Sequence, residues 1–159
     1  YGTNILISWP LGKDVPGSRG MASEAAATDG SIGYLEFGQA KRAGLAMALV
    51  ENAQKRFALP EEVTVSAAAA SAEWSPANHF ATSLVNASAP DSYPITTAVY
   101  AIMKKDGGFG SDNRLVLRFM RFIMNEGKND ALELGYVPLP APAVESVKSY
   151  WKQQFDFGS

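Results

Sequence analysis

The chain has 159 residues and a formal net charge of −2, with 47% hydrophobic and 19% charged residues. That composition is globular, not disordered, and its acidic balance argues against a platform for nucleic-acid phosphates, which needs a concentrated basic face. Cysteine is absent, which excludes disulfides, thiolate catalysis and cysteine-based metal sites and fits an oxidising compartment.

A chain this long can bury about 70% of its unfolded surface. No apolar run reaches the 18 residues that a membrane span requires. The first residue is Tyr1, not Met, which suits a processed or truncated chain with no signal peptide.

In chain order, "TNILISW" (3–9) is rich in β-branched residues, stops at Pro10 and predicts a strand. The Pro- and Gly-rich stretch 10–20 predicts a loop. "MASEAAAT" (21–28) predicts a helix with Ser18 as its N-cap, stopped by Asp29-Gly30. "SIGYLEF" (31–37) predicts a strand, "GQAKRAGL" (38–45) a short helix and "AMALVE" (46–51) a further strand. "PEEVTVSAAAASAEW" (60–74) predicts a helix that buries Val63, Ala67, Ala70 and Trp74. Glu61 and Glu62 fall in its first turn, where the helix dipole favours acidic groups.

Ser75-Pro76 breaks that helix, and "ASAPDSYP" (87–94) is turn-rich. "ITTAVYAIM" (95–103) is continuously apolar and predicts a strand buried on both faces. Residues 111–127 predict a helix with Leu115, Phe119, Phe122 and Ile123 inward and Arg114, Arg118 and Arg121 together on another face. A short helix then ends at Gly135. Pro142 suits a helix start, and the last helix, 143–155, sets Val144, Val147, Trp151 and Phe155 on one side. Strands alternating with helices give an α/β class.

Few residues offer chemistry. His79, the one histidine, has no nucleophile or metal partner at helical spacing and reads as a surface or capping residue, not a catalytic one. The sequence holds no Gly-x-Ser-x-Gly elbow, phosphate-binding P-loop or His-Glu-x-x-His helix. "GSRG" (17–20) sets Ser18, Arg19 and Gly20 at a helix start, where free N–H groups and a guanidinium fork attract anions. A plain cap beside a solvated arginine would look the same. The arginines at 114, 118 and 121 could dock an acidic partner, but such a stripe is more often the wet side of an amphipathic helix. Trp9, Trp74 and Trp151 could line a pocket, although Trp74 and Trp151 already fit helix stripes that suit core packing.

Several separated pieces point one way: "ISWPLG" (7–12), "GSRGMASEAAATDGSIGYLEFGQAKRAGL" (17–45), "LPEEVTVSAAAASAEW" (59–74), "SYPITTAVYAIM" (92–103), "LGYVPLP" (134–140) and "VKSYWKQ" (147–153). In this order they resemble the C-terminal half of the periplasmic phosphate-binding proteins that serve phosphate ABC importers. The match is poorest at 51–58 and 78–89. The resemblance implies a periplasmic-binding-protein-like α/β fold of type II, with portions of two lobes, mixed sheets and flanking helices. Residues 1–91 would belong to the second lobe and 92–159 to the first, with the chain crossing near 92–94. The implied function is solute binding without catalysis or cofactor. The partners would be inorganic phosphate, a membrane permease, and the N-terminal half of the same protein or a swapped mate; the implied compartment is the periplasm.

The family's phosphate donors, a Thr/Ser-rich helix start, an acidic residue and an Arg-x-Asp-x-Ser-Gly-Thr loop, have no counterpart in this sequence. No ligand residue carries over, and Ser18, Arg19 and Gly20 remain the anion candidates. A strand at 95–103 would then need neighbours that the chain does not supply. A missing half, a swapped copy or a repacked domain would each answer that need. An interaction module that keeps the fold without the ligand is the alternative reading.

Overall fold

Alanine and glycine set the buried positions and turns of residues 9–46. The computed structural model describes residues 9–103 and 113–155, and the chain divides into two units, Tyr1–Ala46 and Met47–Ser159. In the first unit, α1 spans Gly17–Ala27 and α2 spans Phe37–Arg42. Helix α1 ends at the expected place: the N–H of its C-cap Thr28 donates to the Glu24 carbonyl at 3.0 Å, and Gly30 follows with φ +71°.

Its start differs from expectation. The N-cap is Pro16, whose extended backbone (φ −76°, ψ 119°) leads into the helix, and no side chain caps it. Ser18 therefore lies inside the first turn. A proline ring presets the φ that a helix entrance needs, so the boundary falls before the serine.

Helix α2 ends in a Schellman motif. Gly44 N–H donates to the Lys41 carbonyl and Leu45 N–H to the Ala40 carbonyl, both at 3.1 Å. Gly44 takes φ +65°, a conformation open to glycine at little cost. Between the helices, Gly33 lies so close to α1 that an added Cβ would come within 2.8 Å of Met21 Sδ. Glycine at 33 thus lets the 31–36 segment rest on α1.

The second unit opens with a hairpin. β1 (Val50–Glu51) pairs antiparallel with β2 (Phe57–Ala58), Val50 opposite Ala58 and Glu51 opposite Phe57. Asn52 is buried in the turn. Its Oδ1 accepts from the Gln54 and Arg56 N–H groups at 2.9 and 3.1 Å. Its Nδ2 donates to the Pro90 and Ser92 carbonyls at 2.8 and 3.0 Å.

Helix α3 (Glu62–Ala70) follows. Thr64 Oγ1 accepts from the Glu61 N–H at 3.1 Å and donates to the Leu59 carbonyl. Tyr93 N–H then donates to the Thr64 carbonyl at 3.0 Å, which ties the 90s to α3. Burial raises the Tyr93 hydroxyl above its ordinary pKa.

A 3₁₀ turn at Pro76–Asn78 leads on towards α4 (Asn113–Asn125), α5 (Lys128–Glu133) and α6 (Ala141–Gln154). Helix α5 closes at Gly135 with the same pair of bonds as α2: Gly135 N–H to the Leu132 carbonyl and Tyr136 N–H to the Ala131 carbonyl. Pro140 caps α6, and Pro142 lies within its first two positions. Ser146 Oγ donates to the Trp74 carbonyl at 3.0 Å, and Tyr150 meets Phe80 edge to face at 5.4 Å. Lys148 Nζ reaches Asn125 Oδ1 at 2.8 Å, which links α6 to α4. The buried apolar residues of this unit are mostly small: Ala58, Ala68, Ala69, Leu84, Leu117, Ala143 and Val144.

The helices match the expected elements, and the sheet does not. Among the described residues the sheet has two strands, order β1-β2. The expected strand at 46–51 is reduced to Val50–Glu51. The expected strands at 31–37 and 95–103 form no ladder: 31–36 and 96–103 have no regular structure, Phe37 opens α2 and Ile95 lies in a bend; the one at 3–9 lies outside the described residues except for Trp9. Nor is 95–103 buried on two faces: Ile95 is 69% exposed, Val99 79% and Ile102 96%. In 31–37, Ile32 is fully exposed. A segment suited to a sheet becomes a strand only when a neighbour takes up its N–H and C=O groups, and among the described residues neither segment pairs in a ladder.

The expected helix cores shift in the same way. On α4, Leu115, Phe119, Phe122 and Ile123 are exposed, and Leu117 is the residue fully buried. On α3, Val63 and Ala70 face solvent while Ala68 and Ala69 are buried. On α6, Val144 is buried and Val147, Trp151 and Phe155 are half-buried, as the sequence predicts.

Candidate functional site

In the first unit, α1 and α2 form the walls of an open groove of about 320 Å³, lined by Arg19, Ala22, Ser23, Ala26, Gln39, Arg42 and Ala43. The helical repeat explains the lining. Residues three and four apart share a face, so positions 19, 22, 23 and 26 form one strip of α1, and 39, 42 and 43 one strip of α2. Each strip carries one arginine, one neutral polar side chain and at least one alanine. The alanines keep the floor low, and both arginines are exposed.

Of the three anion candidates, the groove takes in Arg19. Ser18 and Gly20 are half-buried in the first turn of α1 and do not line it. The structure adds Arg42 and Gln39, which the sequence reading did not single out. The signal was present in "GQAKRAGL", because 39, 42 and 43 lie on one face of any helix formed there. Pairing that face with Arg19 needs the turn at 28–36, which no local pattern reveals.

The acidic group of α1 nearest in sequence is engaged elsewhere. Glu24 Oε2 pairs with Lys13 Nζ at 2.8 Å, and the hydrogen bond from Lys13 holds the Glu24 carboxyl below the usual carboxylate range. At 100° per residue, Glu24 lies roughly 140° round the helix from Arg19. Among the described residues no aspartate or glutamate lines the groove. In composition it is cationic and neutral-polar over a small apolar floor, a surface able to hold an oxyanion.

The other candidates stand apart from this groove in the chain. His79 is the exposed C-cap of the 3₁₀ turn in left-handed conformation (φ 55°, ψ 29°). Trp74 is half-buried, and its Nε1 donates to the Ala69 carbonyl at 2.8 Å, closing the end of α3. Trp151 is half-buried on α6, and Trp9 is 54% exposed. Arg114, Arg118 and Arg121 are exposed along α4 beside its apolar face. Among the described residues no group of three His, Asp or Glu side chains could hold a metal ion, and no helix is long and apolar enough to cross a membrane.

Comparison with known proteins supplies what the geometry leaves open. No family model matches the chain. It is 31% identical over 154 residues to the phosphate-binding protein PstS of Xylella fastidiosa (strain 9a5c), covering 97% of this chain and 42% of that protein. Against PstS of Pasteurella multocida (strain Pm70) the identity is 32% over 153 residues, covering 96% of this chain and 44% of the relative. PstS of Haemophilus influenzae (strain ATCC 51907 / DSM 11121 / KW20 / Rd) gives 32% over 153 residues, 96% and 46%. The resemblance read from the sequence is borne out: the chain is homologous to these proteins along nearly all of its length. It spans less than half the length of the curated relatives it matches.

Proposed function

We propose that this chain, a homologue of part of the PstS phosphate-binding proteins, is the C-terminal half of a two-lobed periplasmic receptor that captures inorganic phosphate for an ABC importer. The observation that carries the reading is the pairing of two coverages: 97% of the chain aligns, but only 42% of the relative does. The exposed apolar segments at 31–36 and 95–103 support it, because a sheet strand deprived of its neighbours leaves such surfaces.

Capture is a binding process. Closing two lobes round an oxyanion removes its water and replaces it with fixed N–H and O–H donors. The permease would then read the closed form. This chain's part is to frame the cleft, since the family's donor motifs are not in its sequence. In this reading residues 1–91 contribute to the second lobe and 92–159 to the first. Support for a fixed crossing near 92–94 comes from Ser92, which is fully buried. Its Oγ donates to the Ala87 and Ala89 carbonyls at 2.9 and 2.7 Å.

Isothermal titration tests the reading. The longer protein that includes the upstream residues is expected to bind phosphate at micromolar concentration or tighter. The 159-residue chain alone is expected to bind it weakly or not at all. Micromolar binding by the isolated chain contradicts the proposal. The same uncovered faces would also suit an assembly module; a persistent dimer in light scattering, with a longer protein that does not bind phosphate, would favour that second reading.

A further inference from the structure

We infer that the turn after α1 is a site of covalent modification: Asp29 converts there to isoaspartate through a cyclic imide formed with the Gly30 nitrogen, while the fold protects Asp91 from the same reaction. Asp29 and Gly30 are both exposed. Gly30 takes φ +71°, and a Cβ built there would meet nothing within 4 Å. Glycine has no side chain to crowd its nitrogen, and its backbone turns with little steric cost. Among the described residues the Gly30 N–H donates to no acceptor, because the turn closes one residue later, from the Ser31 N–H to the Thr28 carbonyl at 3.2 Å. The nitrogen that must attack is therefore neither shielded nor engaged.

The reaction needs water alone. The Gly30 nitrogen bonds to Asp29 Cγ, and the carboxyl hydroxyl leaves with the amide proton as one water. The product is a five-membered imide, lighter than the parent by that water. Water then opens the ring at either carbonyl. Breaking the bond from nitrogen to Cγ restores aspartate. Breaking the bond from nitrogen to the main-chain carbonyl carbon leaves the chain running through Cβ and Cγ, with the former main-chain carbonyl as a free carboxylate. One water is lost and one gained, and nothing is oxidised or reduced.

Asp91-Ser92 supplies the contrast within the same molecule. Serine also has a small side chain, but Ser92 is fully buried, and its N–H donates to the Ala89 carbonyl at 3.1 Å. The Asp91 carboxylate is paired with Arg56 Nη1 at 2.9 Å. Attack by the Ser92 nitrogen would require breaking that amide bond and opening a packed turn. The Asp106-Gly107 pair lies outside the described residues.

The modification reaches the packing of the first unit. Isoaspartate adds one methylene to the main chain between α1 and the 31–36 segment. That segment has little slack: Ser31 Oγ donates to the Ala25 carbonyl at 3.3 Å, and a Cβ at Gly33 would come within 2.8 Å of Met21 Sδ. The longer backbone should displace 31–36 from α1.

The test ages the 159-residue chain at neutral pH and physiological temperature, with and without guanidinium chloride, and maps its tryptic peptides by mass spectrometry with electron-transfer fragmentation. Cleavage at lysine and arginine puts Asp29 in peptide 20–41, Asp91 in 57–104 and Asp106 in 106–114, so each site is read separately. In the folded chain isoaspartate should accumulate at Asp29 at least tenfold faster than at Asp91. Unfolding should change the Asp29 rate by less than twofold and raise the Asp91 rate severalfold. Asp29→Glu, an exposed substitution that keeps the charge, should abolish the isomer in peptide 20–41. A folded-state rate at Asp29 no higher than at Asp91, a severalfold rise at Asp29 on unfolding, or no rise at Asp91 on unfolding would overturn the assignment. None of these outcomes depends on phosphate capture by the longer protein, so the two proposals fail separately.

Discussion

Asn52 shows how much a single residue can settle in a chain with so small a core. All four of its side-chain hydrogen-bond positions are filled by backbone groups: two amide donors reach Pro90 and Ser92, and one oxygen accepts from Gln54 and Arg56. A buried polar group left without a partner costs about 1–3 kcal/mol. Asn52→Ala is therefore expected to destabilise the second unit by about 3 kcal/mol, read as a lower urea midpoint. Asn52→Asp should cost at least as much near neutral pH, because it turns a carboxylate towards the two carbonyls. A midpoint unchanged by either substitution contradicts this role. Nothing in "VENAQKRF" announced it: an asparagine before a turn is ordinary, and the two carbonyls that its amide group reaches, Pro90 and Ser92, lie 38 and 40 residues away. Arg19 stood out because a glycine-flanked arginine at a helix start has a local signature. Ser18 was misjudged as the cap because Pro16 had already set the helix entrance.

At the scale of elements, α4 carries two apolar surfaces with different fates. Leu117 is fully buried, while Leu115 (64%) and Phe119 (58%) are exposed. Leu117→Ala should cost about 3 kcal/mol, in the range of buried leucine truncations. Phe119→Ser should change the isolated chain by less than about 0.5 kcal/mol, as exposed substitutions do. In the longer protein the same Phe119→Ser change should cost about 2 kcal/mol or more, because the face is then covered. Thermal unfolding of both variants in both proteins checks this; equal cost for Phe119→Ser in the two proteins contradicts it. Helices were legible because their hydrogen bonds close within the segment, so periodicity and caps suffice: α2, α5 and α6 fall where the sequence puts them. Which face is covered was not legible on α3 or α4, because periodicity identifies an apolar stripe without saying what lies against it. Strands were the least legible for the same reason. The short run at 31–37 and the apolar run at 95–103 describe residues suited to a sheet, and the ladder depends on partners that lie elsewhere in sequence.

On the scale of the whole molecule, the account joins homology along 97% of the chain to the apolar surface left uncovered on 31–36, on 95–103 and on α4. Each observation has its own weight. The homology identifies relatives more than twice as long, and the exposure identifies surfaces that a stable protein would cover. Together they support the proposal that these segments are completed by residues outside this chain. The groove at Arg19 and Arg42 lies outside that claim, being built entirely from α1 and α2.

Hydrogen exchange at 95–103 tests the claim most directly. The amides of this segment would be followed in the isolated 159-residue chain and in the longer protein with its upstream residues. The account predicts exchange close to the unprotected rate in the isolated chain and slowing of at least a hundredfold in the longer protein, as the segment joins a sheet. Strong protection of these amides in the isolated chain would contradict it.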